Sequence, residues 1–88
     1  MSITVKIASP LRSYTGGQNS VNGKGATVAE VLADLEQRYS GMRFRMIDEQ
    51  NHIRQHIRLF VNTDEVKSLS HPVAAGDTVH LICALSGG

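Results

Sequence analysis

The chemistry available to this 88-residue sequence concentrates at its end, Leu85-Ser86-Gly87-Gly88. Two residues without side chains make a thin segment that can thread a narrow channel and approach a partner closely. The reactive group such a segment delivers is the Gly88 α-carboxylate. A carboxylate is inert until activated, and the usual route is adenylation by ATP, after which sulfur or nitrogen can attack the acyl carbon. Gly87 and Ser86 then provide access. The competing reading is an ordinary frayed terminus built of small residues. Cys83, the single cysteine, lies five residues before the end. It is either a small apolar filler of the core or a thiol able to trap or exchange sulfur.

Other candidates are weaker. His52 and His56 are four apart, a metal-ligand spacing only if they share a helix, and no second cysteine supports a site. His71 and His80 stand far along the chain, so no metal site is expected. Asp64-Glu65 reads as a turn former rather than a catalytic pair. Gly16-Gly17 could cradle a phosphate only ahead of a helix N-terminus, whereas Gln18-Asn19-Ser20-Val21 continues as a strand. Arg43, Arg45, Arg54 and Arg58 make the middle basic. His52 and His56 add to it, and Asp48 and Glu49 interrupt the run. It reads as a solvated face or, functionally, as a docking surface for an acidic partner or RNA. The RNA reading is disfavoured because too few aromatics accompany it to stack bases.

Composition is that of an ordinary globule, with 41% hydrophobic residues, 19% charged residues and a net charge of +1. A single modest core is expected over one domain, 1–85, followed by a flexible reactive tail, 86–88. No apolar run is long enough for a membrane span, and no apolar signal core opens the chain. One unpaired cysteine suits a reducing, cytoplasmic setting.

The elements must hold that tail. Ile3-Thr4-Val5-Lys6-Ile7-Ala8 alternates as a half-buried strand, and Pro10 ends it. A turn at Gly16-Gly17 leads to a second strand, then to a loop over 22–25. Thr27-Val28-Ala29-Glu30 is a capping box: the Thr27 hydroxyl accepts from the third helical N–H, and Glu30 reaches back to the Thr27 N–H. Val28, Val31, Leu32, Leu35 and Tyr39 follow helical spacing, predicting a helix over 27–40 stopped by Gly41. Met42 to Ile47 fits either a short helix or an extended link. Ile57, Leu59 and Val61 point inward on a further strand and leave Phe60 outward. Val66-Lys67-Ser68 is expected to be a short strand, and Ala75-Gly76-Asp77 turns into the last one. There Val79, Leu81, Cys83 and Leu85 share one face and His80, Ile82 and Ala84 the other. Hairpin, long helix, then more strands give an α+β chain of the β-grasp arrangement of ubiquitin. It is expected to be a mixed sheet of about five strands on one main helix, with the last strand beside the first.

At this level the chain resembles the MoaD/ThiS family of ubiquitin-like sulfur carriers, on its CysO-like branch. The resemblance rests on Thr15-Gly16-Gly17-Gln18, Gly25 to Leu32, Tyr39-Ser40-Gly41, Phe60-Val61-Asn62, Ala75 to Val79 and the terminal Gly87-Gly88, in that order. It implies a protein cosubstrate rather than an enzyme. An adenylyltransferase related to the ubiquitin activators would use ATP on Gly88, a sulfur donor would convert the adenylate to a thiocarboxylate, and a synthase would accept the sulfur. No cofactor is expected on the chain itself. The acceptor stays open among cysteine, molybdopterin, thiamin, a tRNA base and a secondary metabolite, with cysteine favoured. Ubiquitin-like proteins dock through the outer sheet face, which makes Phe60, Ile82 and Ala84 the expected partner site. Two alternatives remain, a modifier joined through Gly88 to lysines and the small subunit of a molybdopterin-synthase-like complex. Many relatives carry proline near position 83; cysteine there leaves the exit less stiff.

Overall fold

The computed structural model describes residues 2–83. Five strands form one sheet: β1 (Ile3–Lys6), β2 (Ser20–Gly23), β3 (Ile57–Val61), β4 (Asp64–Glu65) and β5 (Thr78–Cys83), in the order β2-β1-β5-β3-β4. Helix α1 (Val28–Arg38) lies against one face, with the short α2 (Met42–Met46) beside it. β5 runs parallel to β1 and antiparallel to β3, so the last strand occupies the centre.

Alternation sets the faces. Ile3 and Val5 of β1, Ile57, Leu59 and Val61 of β3, and Val79 and Leu81 of β5 are all buried. They meet Val28, Val31, Leu32 and Leu35 of α1 in a single core. Tyr39 packs at its margin.

The Thr27 hydroxyl accepts from the Glu30 N–H at 3.2 Å. Glu30 does not return the bond to Thr27, as the capping box predicts; its carboxylate accepts from the Ala26 N–H at 2.8 Å instead. The cause lies at Gly25, whose φ of +153° folds the chain tightly against the first turn of the helix and brings the Ala26 N–H within reach.

Two further elements differ from the expectation, and one open choice is resolved. Ser9–Thr15 winds into a 3-10 helix, with Pro10 tolerated near its start and Gly16 as its left-handed cap at φ +66°. The Gly17 N–H is spent on the Arg12 carbonyl at 2.8 Å, and the buried Thr15 hydroxyl lies 2.8 Å from the Gln18 carbonyl. Thr15-Gly16-Gly17-Gln18 is therefore a loop lock. Residues 42–46, ambiguous in sequence, are helical because the Glu36 carboxylate accepts from the Gly41 and Arg43 N–H groups at 2.8 and 2.9 Å. Those two N–H groups hold the Glu36 carboxyl below its ordinary range. The short strand falls on Asp64–Glu65 rather than 66–68, since Glu65 pairs with Phe60 and Asp64 with Val61.

Asn62 and Asp77 clamp the entrance to β5. The Asn62 amide donates to Asp77 at 3.1 Å and accepts from the Thr78 N–H at 3.0 Å. Asp77 also accepts from the Ala74 N–H at 2.8 Å, and this bond, with the Asn62 amide, lowers its pKa. The Asn62 and Asp77 motifs noted in the sequence are thus two separate turns joined by one clamp.

Candidate functional site

The site is built outward from the end of β5, because that strand leads into the reactive segment. Gly88, Gly87, Ser86 and Ala84 lie outside the described residues. What the fold fixes is the platform from which they continue. β5 is paired with β1 over Thr78–His80 and with β3 over Val79–Cys83, so its entrance is held on two sides and its exit by β3, with Ile57 opposite Cys83. An entrance held on two sides cannot fray as an edge strand does.

Phe60 and Ile82 both lie on the sheet face away from α1. Phe60 is half-buried and stands opposite His80 on one side and Glu65 on the other. Ile82 is 42% exposed and stands opposite Arg58. The register makes the two diagonal neighbours, a relationship spanning about 7–8 Å in such a ladder. Lys6 sits beside His80 on the same face, and Arg58 approaches Glu65 at 3.7 Å. This surface is thus mixed, a small apolar centre within charged side chains.

Cys83 is half-buried and packs against the core margin. Burial pushes its thiol pKa up, with the Arg45 guanidinium acting weakly the other way. The thiol is therefore protonated at neutral pH, a poor nucleophile, as suits a filler. His56 falls in a turn and His52 in an irregular stretch, so they share no helix. Among the described residues no three His, Cys, Asp or Glu side chains group as metal ligands do. Asp64-Glu65, a predicted turn, is edge strand. No described helix is long and apolar enough to cross a membrane.

A second surface stands at the same end of the sheet; the sequence marks its arginines and His56 as a basic stretch but gives Phe44 no place in it. α2 buries Met42 and Met46 and turns Phe44 outward, 55% exposed. Arg54 lies over the Phe44 ring, 4.5 Å from its centre, and its Nε donates to the Phe44 carbonyl at 2.7 Å. Arg45 and His56 complete a shallow hollow of about 340 Å³ around this pair. The one signal available for Phe44 in sequence was an aromatic between two arginines, Arg43-Phe44-Arg45, and it carries no face until α2 is known to be a helix.

The comparisons agree with this architecture. The ThiS family model matches residues 5–88. The sulfur carrier protein CysO of Mycobacterium tuberculosis is 38% identical over 93 aligned residues, spanning the whole of both chains. A chain of the Amycolatopsis orientalis BexX/CysO complex superposes with a TM-score of 0.91 at 38% identity, covering 98% of this chain and 99% of that one. SAMP1 from Haloferax volcanii superposes with a TM-score of 0.83 at 25% identity, with full coverage of both. A β-grasp with a central C-terminal strand, matched end to end in sequence, places the chain in the ThiS family, as a homologue of the CysO sulfur carrier proteins.

Proposed function

We propose that the chain carries sulfur on its C-terminus for a biosynthetic enzyme in the cytoplasm. The observation that supports this reading most strongly is the end-to-end identity with a protein named as a sulfur carrier, running through Gly87-Gly88. A Gly88 carboxylate oxygen attacks the α-phosphorus of ATP bound to a partner adenylyltransferase, and pyrophosphate leaves. Hydrosulfide released by a donor then attacks the acyl carbon, AMP departs with the bonding pair, and the thioacid gives up its proton to water. The resulting thiocarboxylate is a softer and stronger nucleophile than the carboxylate it replaces. Its sulfur attacks an electrophile held by the accepting synthase, and hydrolysis of the thioester restores the carboxylate. ATP belongs to the partner, and the chain supplies reach, a leaving acyl group and a docking face. Likeness to CysO favours cysteine as the product.

The test is the intact mass of the protein from its own cells, with and without an alkylating agent selective for thiocarboxylates. The expected species is heavier than the plain chain by the difference between sulfur and oxygen, with the label on the C-terminal peptide and not on Cys83. Plain carboxylate alone, even after incubation with ATP, sulfide and cell extract, would overturn the reading.

Docking on the adenylating partner is assigned to the outer sheet face around Phe60 and Ile82. Phe60→Asp combined with Ile82→Asp is expected to raise the carrier concentration needed for half-maximal adenylation by about tenfold or more, the effect of losing two interface anchors. Thermal unfolding should stay close to the parent, since neither side chain belongs to the core. An unchanged concentration dependence would remove this face from the interface.

One observation favours a second reading. SAMP1 belongs to the small archaeal modifier proteins and has the same fold at 25% identity. A modifier uses the same activated terminus but passes it to lysine amines. Isopeptide-linked forms of the chain in cell extract would mark that role.

A further inference from the structure

Both large apolar side chains that stand exposed among the described residues, Phe44 and Ile82, lie at the end of the sheet from which the reactive segment continues. The connection is short and made of backbone bonds. The Arg54 N–H donates to the Met46 carbonyl at the end of α2, and the Ile57 N–H donates to the Arg54 carbonyl, both at 2.9 Å. Ile57 is in turn the register partner of Cys83. α2 and the 53–57 link are therefore tied to the last described residue of β5. Arg45 and His56 flank Phe44 in the hollow, Arg54 covers it, and Arg58 sits beside Ile82.

This end is strongly cationic in a chain whose net charge is only +1. Among the described residues neither Arg45 nor Arg54 enters an ion pair. The nearest acid along the chain, Asp48, already accepts from the N–H groups of Gln50 and His52 at 2.9 Å each. Asp48 offsets Arg54 only at a distance and Glu65 meets Arg58, so the positive charge gathered at this end is partly balanced, and Arg45 stands without an acidic partner among the described residues. An exposed phenylalanine held under an arginine is the residue mix enriched at protein interfaces. One aromatic is too few to make a base-stacking platform, and the low net charge gives little general affinity for polyanions.

Chain length says what meets this surface. Five residues separate Cys83 from the terminus, a reach of at most roughly 18 Å at full extension. An enzyme that draws Gly88 into its active site must bring the mouth of its channel against the root of the tail. We propose that Phe44, Arg45, Arg54 and His56 form a cationic collar that seats on an acidic protein rim framing that mouth. The proposal rests on the carrier reading, and it adds a recognition surface separate from the Phe60 face. The collar steers the encounter and sets the angle at which the tail enters.

The experiment is the initial rate of thiocarboxylate formation on purified chain, read by intact mass, in extract of the source cells with ATP and sulfide. Arg45→Glu is expected to lower the rate at limiting carrier about five- to tenfold at low salt, the effect of reversing one steering charge. Arg45→Lys should restore most of it. The gap should close to within about twofold at 0.5 M KCl, where screening shortens the reach of charge. Lys24→Glu makes the same charge change at the far end of the sheet, beside the start of β1, and should leave the rate near the parent's. Arg45 is exposed, so an unchanged melting temperature separates docking from folding. If Arg45→Glu and Lys24→Glu form thiocarboxylate as fast as the parent, the collar is overturned and the carrier reading stands. If Arg45→Glu leaves the rate intact but weakens binding of a single-stranded oligonucleotide, the surface serves nucleic acid and the proposal fails. If the parent itself forms no thiocarboxylate, the carrier reading falls and takes the collar with it.

Discussion

Removing Gly87 and Gly88 together is expected to abolish thiocarboxylate formation, to below about a thousandth of the parent rate, while leaving the fold intact. The truncated chain still ends in a carboxylate, so the experiment asks about position rather than chemistry. Two residues contribute about 7 Å of reach. Reacting atoms must come within about 3–3.5 Å, and a misplacement of only 1 Å can cost about a hundredfold. A seated carrier cannot recover 7 Å by sliding forward, because the folded body stops at the channel mouth. Ser86 would also bring a side chain to a place shaped for none. The core of the described residues is already closed before residue 84, so stability should change by less than about 0.5 kcal/mol. Intact mass after incubation with ATP, sulfide and extract reads the first effect, and thermal denaturation reads the second. Sulfur acquired on the new C-terminal peptide would mean that reach does not limit the reaction, and sulfur acquired elsewhere would mean that the accepting group is not the terminal carboxylate.

Gly25→Ala is expected to destabilise the domain by about 2–4 kcal/mol, against a total of about 4–13 kcal/mol for a chain of this length. A Cβ at this position would stand 2.7 Å from the Glu30 Cβ and 2.8 Å from the Val31 nitrogen. These are atoms of the first helical turn rather than the ends of flexible side chains. The helix cannot retreat, because its start is fastened to the segment before β5. The Val28 and Ala29 N–H groups donate to the His71 and Leu69 carbonyls at 3.0 and 2.9 Å, and the Val73 N–H donates to the Ala26 carbonyl at 2.9 Å. The added methyl must break one of these bonds or push α1 away from the sheet. Gly76→Ala supplies the comparison: its φ is +90°, but no atom lies within 4 Å of the new carbon. That change carries backbone strain alone, about 1 kcal/mol. In thermal unfolding the two should separate by about 5 °C or more. Equal melting temperatures would show that the close approach at Gly25 relaxes freely.

These two glycines mark the difference between what was legible in the sequence and what was not. The β-grasp could be read because its main parts announce themselves locally. Period-two alternation gave the inward sets Ile3-Val5 and Ile57-Leu59-Val61, and Thr27 with its stripe of valines and leucines gave α1. Gly25 stood out only as part of a resemblance, and its physical reason is a tertiary approach between loop and helix. α2 was ambiguous for the same kind of reason: its cap is Glu36, a side chain belonging to another helix. β4 was displaced because a two-residue charged edge strand is defined by its pairing with Phe60 and Val61, not by its own pattern. The collar's basic residues were legible as a charged stretch, whereas Phe44 followed α2 out of sight, since its outward direction exists only once Met42 and Met46 are known to share the inner face. The Gly87-Gly88 terminus was recognisable by residue type, and its placement lies beyond the described residues.

The central position of β5 also has a mechanical meaning. A partner that grips the tail and pulls does so along the axis of a strand bonded to β1 on one side and β3 on the other. Such a pull loads both ladders in shear, so many hydrogen bonds must fail together. A strand at the edge of the sheet would peel away one bond at a time. The domain can therefore be tugged by its reactive end, through binding and release, without being unravelled. A machine that unfolds proteins from the C-terminus would meet its greatest resistance at the first strand it tried to extract.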